Sequence, residues 1–188
     1  MTHQIKKFEK IAKKFPFNEY KTFLDIGGGP AAFSLCIKKL YGEIKCFSFD
    51  LEDIEQDAYH YLQENGMEDS IKLLSGDVFK FDFPRVDIVA MGNILHEYNH
   101  EYKRKLFKIA YEALNINGAL LIIEDFIDDK REENSEGLNM SLLMILYYGD
   151  SFNLSFRDIQ GYAKEAGFSK VKNMIKSTGA NLIICYKF

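Results

Sequence analysis

Several features that would indicate particular protein classes are scarce in this sequence. It contains no tryptophan, only three prolines and three cysteines. No apolar run approaches the roughly 18 residues that a membrane-spanning helix needs. The lysine-rich N-terminus lacks the apolar segment of a secretory signal. Lysine and arginine form no dominant stripe and the net charge is −4, so we expect no membrane or nucleic-acid partner.

The cysteines are too few and too scattered for a disulfide framework or a cysteine-built zinc site. Cys36, Cys46 and Cys185 are odd in number and show no CxxC spacing. This pattern predicts reduced thiols and a cytoplasmic protein. What is present is typical of one globular domain: 188 residues, of which 47% are hydrophobic and 28% charged.

Short apolar runs alternate with helical patterns along the chain. We predict strands over 22–26, 43–50, 71–77, 86–92 and 115–125, and helices over 4–15, 31–41, 53–66, 103–114, 137–148 and 156–166. The polar stretch 128–137 predicts a surface loop, and the C-terminus predicts two strands around a turn at Ser177–Ala180.

This order predicts an α/β fold, a Rossmann-like, doubly wound and mostly parallel sheet that ends in an antiparallel β-hairpin. Residues 1–20 would form an N-terminal helical extension, and residues 21–188 the main domain. Five chemically distinctive residues lie at or just beyond the carboxyl ends of predicted strands: Asp25, Asp50, Asp77, His96 and Glu124. Because ligands bind at the carboxyl ends of parallel strands, we expect these side chains to share one site.

The glycine loop after the first strand has two interpretations. Residues 27–32 fit the dinucleotide pattern G-x-G-x-x-A, and Asp50 follows at the distance of a ribose-binding acid, which would indicate an NAD(P)-dependent oxidoreductase. However, Pro30 lacks the N–H that a pyrophosphate would use, and the Asp25 carboxylate would repel it. A ligand without phosphates, carrying a cationic sulfonium and an amino-acid tail, fits the loop better.

The stretch His96-Glu97-Tyr98-Asn99-His100 spells the H-E-x-x-H motif of zinc peptidases. That motif needs both histidines on one face of a helix. Here His96 follows a strand directly, and Asn99 is a suitable N-cap for a helix that begins near His100. We therefore predict that the stretch straddles a loop and a helix start, and we expect no metal site.

Five segments, DIGGGPA, FDL, SGDVF, NILHEY and GALLIIED, resemble the successive motifs of class I S-adenosylmethionine (SAM)-dependent methyltransferases. They are most similar to the catalytic domain of the O-methyltransferase family that contains the plant caffeic-acid and the hydroxyindole enzymes, over residues 17–188. The resemblance implies SAM as cofactor and S-adenosylhomocysteine as product. It assigns cofactor binding to Asp25, Gly27, Gly28, Gly29, Asp50, Leu51, Asp77, Val78 and Asn93.

The same resemblance implies a chemistry. His96 would be the general base that takes a proton from the hydroxyl of a small-molecule acceptor, and Glu124 would hold His96. Asn153 stands where plant members have a second supporting acid. Met140 and Met144 lie in the helix that walls the acceptor pocket; by helical spacing alone we favour a core position for Met140.

Full-length members of the resembled family carry a large N-terminal domain that forms the dimer and covers the acceptor pocket. Here only about 20 residues precede the first predicted strand. We therefore expect a more open pocket, and a homodimer or a partner protein in place of that domain. A SAM-binding partner subunit without catalysis is the main functional alternative, followed by the oxidoreductase.

Overall fold

A computed structural model describes residues 2–175 and 181–188 of the chain. In this part strands and helices alternate, as predicted. The helices are α1 (Thr2–Lys14), α2 (Ala32–Leu40), α3 (Glu52–Glu64), α4 (His100–Ala113), α5 (Ser135–Tyr148) and α6 (Phe156–Ala166). The strands are β1 (Thr22–Ile26), β2 (Lys45–Asp50), β3 (Ile71–Ser75), β4 (Val86–Gly92), β5 (Leu114–Ile123), β6 (Lys170–Ile175) and β7 (Leu182–Tyr186).

The strands form one sheet in the order β3-β2-β1-β4-β5-β7-β6. Strands β1 to β5 are mutually parallel. Strand β7 runs antiparallel to both β5 and β6, which closes the sheet with a hairpin. The predicted fold class, a mostly parallel sheet with a terminal antiparallel hairpin, is confirmed. The hairpin turn predicted at Ser177–Ala180 lies outside the described residues.

Successive side chains of a strand point to opposite faces of the sheet, and helices cover both faces. Phe23 and Leu121 pack with residues of α1, α2 and α3 in one apolar cluster. Leu24 and Leu120 pack with residues of α4 and α6 in a second cluster. Each fully buried side chain of this size stabilises the fold by about 1.5–3 kcal/mol. The doubly wound arrangement follows from these two clusters.

Local signals explain most of the element boundaries. Asn99 caps α4 by accepting a hydrogen bond from the Tyr102 backbone, as predicted. The loop predicted over 128–137 is shorter than expected, because Asn134 accepts a hydrogen bond from the Gly137 backbone and starts α5 at Ser135. Within the described residues, no helix is both long and apolar enough to cross a membrane.

Helix α1 is part of the folded core. It buries Ile11 and Ala12, and Phe15 directly after its end, in the cluster that also contains Phe23 of β1. The buried Lys7 ammonium of α1 pairs with the Asp125 carboxylate at 3.1 Å, just beyond the end of β5. The helix therefore reaches from the core to the carboxyl end of the sheet.

Candidate active site

The carboxyl ends of the five parallel strands are tied together by hydrogen bonds between the loops that leave them. The Gly27 amide donates to the Phe49 carbonyl of β2 at 2.9 Å, and the Gly76 amide donates to the Asp50 carbonyl at 3.1 Å. On the other side, the Asn93 amide donates to the Ile123 carbonyl of β5 at 2.9 Å. One continuous edge of the sheet thus carries the glycine loop, the acids and the His96 turn.

The glycine loop needs glycine for two separate reasons. Gly27 has φ +73°, and a Cβ there would lie 2.6 Å from Ile94 Cδ1. At Gly28 a Cβ would lie 2.2 Å from Ser48 Oγ, which leaves no room for any side chain. Such close approach of the backbone is typical of loops that hold a ligand against the sheet.

Asp25 lies directly beneath this loop. The residue is 3% exposed, and its Oδ2 lies 3.3 Å from the position that a Cβ on Gly28 would take. Burial raises the pKa of Asp25 to about 7, and the neighbouring charge of Asp50 adds to this rise. A buried acid with so high a pKa disfavours a second anion, and a cationic ligand would restore its ionised form.

Asp50 ends β2 and connects it to the glycine loop. Its carboxylate accepts hydrogen bonds from the Gly29 amide at 2.7 Å and from the Leu51 amide at 2.8 Å. The Leu51 side chain beside it is exposed. This pair presents an acid and an apolar surface side by side.

Asp77 and Val78 follow β3 and face different surroundings. The exposed Asp77 carboxylate accepts from the Phe79 amide at 3.0 Å and pairs with Lys80 at 2.9 Å. The hydrogen bond from Lys80, followed by that from Phe79, lowers the pKa of Asp77. Val78 is buried in the second core cluster. Asp77 therefore also has the contacts of an ordinary turn residue.

The turn after β4 carries His96. Asn93 adopts a left-handed conformation (φ 56°), and a short 3₁₀ helix follows over Leu95–Glu97. Glu124, buried at the end of β5, accepts from the Leu95 amide with Oε1 and bonds His96 Nδ1 with Oε2, each at 2.8 Å. Because β4 and β5 are neighbours in the sheet, the two residues meet across 28 positions of sequence.

This contact changes the properties of the imidazole. Burial alone would lower the pKa of His96, but the hydrogen bond that its Nδ1–H donates to Glu124 and the charge of that carboxylate outweigh burial, so the pKa is raised above its usual value. A carboxylate at Nδ1 also selects the tautomer with the proton on Nδ1, which leaves Nε2 as the basic nitrogen.

The H-E-x-x-H stretch straddles a turn and a helix start, as predicted. His96 lies in the 3₁₀ turn, whereas His100 is the first residue of α4. His100 Nδ1 contacts the Tyr162 hydroxyl, and its ring packs on Phe152 at 4.5 Å between centroids. The two histidines thus have separate partners. No group of three or more His, Cys, Asp or Glu residues in the described ranges could hold a metal ion.

Asn153 lies beside the end of β5, but its side-chain oxygen, Oδ1, forms no hydrogen bond with His96 or Glu124. Its Nδ2 donates to the Asp125 carbonyl at 2.8 Å. Its Oδ1 is buried, and no donor in the described part of the chain reaches it. Glu124 is therefore the carboxylate that contacts His96.

Helix α5 packs against the His96 turn, yet most of its surface is uncovered. The prediction of a core position for Met140 is wrong, because the side chain is 39% exposed. Met144 is partly buried. The sequence pattern misled because α5 is apolar on nearly all sides, so helical spacing could not tell its inner face from its outer one.

Sequence reasoning missed two residues that hold the His96 turn in place. Ser151 Oγ donates to the Glu97 carbonyl at 2.8 Å, and the buried Lys103 ammonium donates to the Tyr98 carbonyl. Lys103 could have been found by its position, since it lies three residues before Leu106 and shares the buried face of α4. Ser151 has no comparable local signal.

Comparison with known proteins identifies the family that the sequence motifs resemble. A family model described as an O-methyltransferase domain matches residues 2–169. The tetracenomycin polyketide synthesis 8-O-methyl transferase TcmO of Streptomyces glaucescens is 25% identical over 174 residues, 93% of this chain and 51% of that protein. Caffeic acid 3-O-methyltransferase 1 of Ocimum basilicum is 27% identical over 172 residues, 89% of this chain and 45% of that protein.

A solved structure shows the same fold. Human N-acetylserotonin methyltransferase in complex with SAM superposes with a TM-score of 0.85 and 23% identity, over 96% of this chain and 51% of that one. The chain spans about half the length of the relatives it matches. Because the family model covers most of its length, the chain belongs to the O-methyltransferase family.

Proposed function

We propose that this chain binds SAM and catalyses methyl transfer to a hydroxyl group of a small-molecule acceptor, with His96 as general base and S-adenosylhomocysteine as product. The observation that carries the proposal is the buried Glu124 carboxylate bound to His96 Nδ1 at 2.8 Å, on the same sheet edge as the glycine loop. Membership of the O-methyltransferase family supports the reaction type.

The residues at the glycine loop fit a cationic ligand better than a phosphate. Asp25 is a buried acid whose pKa is raised to about 7, so a nearby cation would be favoured and an anion opposed. Gly27, Gly28 and Gly29 would let the amino-acid part of the cofactor approach the backbone. Pro30 provides no N–H at the start of α2, where a pyrophosphate would need one.

The remaining cofactor roles follow the order of the strands. Asp50 would accept hydrogen bonds from the ribose hydroxyls, and the exposed Leu51 would gain cover from the bound nucleoside. Asp77 and Val78 would flank the adenine, and Asn93 would line the site beside the His96 turn. When bound, SAM supplies a methyl group activated by its sulfonium charge.

His96 would accept the acceptor's hydroxyl proton at Nε2 as the oxygen attacks the methyl carbon. Glu124 keeps the Nδ1 proton in place and stabilises the imidazolium that forms. Since the pKa of His96 is raised, turnover should increase with pH as the imidazole loses its proton. Positioning of the two reactants provides the rest of the rate enhancement.

The acceptor would lie between the His96 turn and α5. Met144, and Met140 at the exposed edge, would contact it, and thioether side chains suit a flat aromatic molecule. TcmO and the basil enzyme are named for O-methylation, which supports oxygen as the methylated atom.

The outer surface of α5 would be covered by a second polypeptide, either another copy of this chain or a partner protein. Seven large apolar side chains of α5 are exposed: Met140, Leu142, Leu143, Ile145, Leu146, Tyr147 and Tyr148. An apolar surface of this extent is typical of an interaction site. Residues 1–20 would be an extension of the catalytic domain at 21–188, and the free thiols of Cys36, Cys46 and Cys185 suit the cytoplasm.

The test combines binding with turnover. Metal-stripped protein is titrated calorimetrically with S-adenosylhomocysteine, NAD and zinc in separate runs, and SAM turnover is followed with a panel of small phenols. We expect micromolar binding of S-adenosylhomocysteine alone. His96→Gln should lose turnover about 100-fold or more and keep cofactor affinity. The exposed His60→Gln on α3 is the matched control and should retain both.

Other outcomes would contradict the proposal. A response to NAD instead of S-adenosylhomocysteine would identify a dinucleotide enzyme. Binding of S-adenosylhomocysteine with turnover that His96→Gln leaves intact would remove His96 from the chemistry. Tight cofactor binding without turnover on any phenol would favour a SAM-binding partner subunit.

A further inference from the structure

Lys103 is a charged residue in an apolar place. It lies on the inner face of α4 and is 0% exposed. Burial lowers the pKa of its ammonium group to about 8, against the opposing charges of Glu124, Asp158 and Asp150. Removing an ammonium group from water is costly, so such a residue needs strong compensating contacts.

Those contacts join two segments that are distant in sequence. Lys103 Nζ donates to the Tyr98 carbonyl, at the end of the His96 turn, and to the Phe152 carbonyl at 2.8 Å. The same ammonium lies 3.6 Å from the centroid of the Phe152 ring, a close cation–π contact. In the described part of the chain, none of its contacts is an ion pair.

Neighbouring hydrogen bonds act on the same two segments. Ser151 Oγ donates to the Glu97 carbonyl at 2.8 Å, one residue before the carbonyl that Lys103 holds. The Asn153 backbone amide donates to Ser141 Oγ of α5 at 3.0 Å. The segment 151–153 is therefore bound to the His96 turn on one side and to α5 on the other.

We propose that Lys103 is a positioning residue whose buried ammonium clamps the His96 turn to the segment 151–153 and so keeps the imidazole against Glu124. Its catalytic meaning rests on the proposed function, since His96 is the base only there. The clamp also links the base to α5, the helix that would wall the acceptor pocket. The position of the imidazole can be measured without any turnover.

The experiment uses long-range ¹H–¹⁵N spectra of the imidazoles in the ¹⁵N-labelled chain, titrated with pH. The chain has four histidines, and His96→Gln and His100→Gln assign the signals that matter. Lys103→Met keeps the length of the side chain and removes its donors. Lys105→Met is the matched control, because Lys105 lies on the exposed side of α4 and pairs with Glu101.

Glu124→Gln sets the scale of the response, because it removes the carboxylate that raises the pKa of His96. In Lys103→Met we expect this pKa to fall toward that of Glu124→Gln, by roughly half of the difference or more. Lys105→Met should match the unmodified chain, and Lys103→Arg should recover much of the effect. Loss of the Lys103 positive charge alone would raise the pKa of His96, whereas displacement of the imidazole from Glu124 would lower it. The direction of the change therefore separates these two causes.

The proposal is overturned if Lys103→Met folds normally and leaves the pKa and tautomer of His96 unchanged, or raises the pKa. If Lys103→Met does not fold, the same measurement is made on Lys103→Gln, whose side chain is polar but too short to reach both carbonyls. An unchanged or raised His96 pKa in that variant would equally overturn the proposal. The spectra also separate this inference from the proposed function. Turnover retained in His96→Gln with a lowered His96 pKa in Lys103→Met would reject the function and keep the clamp.

Discussion

The buried Asp25 makes a quantitative prediction for how cofactor affinity depends on pH. Its pKa in the free protein is raised to about 7, first by burial and then by Asp50. At neutral pH about half of the molecules therefore carry a protonated Asp25. A cationic ligand at the glycine loop favours the ionised form, so binding below pH 7 must expel a proton.

The expected effect is large enough to measure. With a pKa of about 7, the dissociation constant of S-adenosylhomocysteine, whose amino group is cationic, should be about tenfold weaker at pH 6 than at pH 8, about 1.4 kcal/mol. Calorimetry in two buffers of different ionisation enthalpy counts the protons directly. We expect nearly one proton released at pH 6 and almost none above pH 8.

The same shift affects the stability of the free protein. An acid whose pKa rises from 3.8 in the unfolded chain to about 7 binds more protons when folded. The contribution of this acid to the free energy of unfolding is fully present below its pKa in the unfolded chain and is lost as pH rises through about 7, a change of about 4 kcal/mol. Asp25→Asn should therefore flatten the fall in free energy of unfolding between pH 5 and pH 8.

Two variants isolate the group responsible. Asp25→Asn should bind S-adenosylhomocysteine more weakly and without the pH dependence. His96→Gln should keep the dependence, although the hydrogen bond to Glu124 and its charge also raise the pKa of His96. The role given to this acid would be refuted if the dissociation constant did not change between pH 6 and pH 8, or if binding took up protons. It would also be refuted if the affinity of Asp25→Asn depended on pH as steeply as that of the unmodified chain.

Two further predictions concern the glycine loop and α5. Gly28→Ala places a Cβ 2.2 Å from Ser48 Oγ, so the loop or the buried Ser48 side chain must shift at a cost of about 1–3 kcal/mol, and S-adenosylhomocysteine affinity should fall about tenfold to a hundredfold. Gly42→Ala, where a Cβ meets nothing within 4 Å, should bind normally; equal losses would show a general fold defect. Light scattering should show that the chain associates through α5 and that the double variant Leu142→Glu, Leu146→Glu is monomeric. A monomeric unmodified chain would exclude a second copy and leave only a partner protein.

Much of the architecture could be read from local patterns. The apolar run 86–92 predicted β4 to the residue, and Asn99 predicted the start of α4, because strand formation and capping depend on neighbouring side chains. The alternation of strands and helices predicted the parallel sheet. From that topology it followed that Asp25, Asp50 and Glu124 would lie along one edge.

What the sequence by itself determined is therefore the set of elements, their order, and the edge of the sheet where the chemistry lies. The tertiary structure decided which side chains touch. The contact between His96 and Glu124 depends on the register of β4 and β5, and the raised pKa of Asp25 depends on how fully its neighbours exclude water. The burial of Lys103 and the exposure of α5 depend on long-range packing, which periodicity within one helix does not specify.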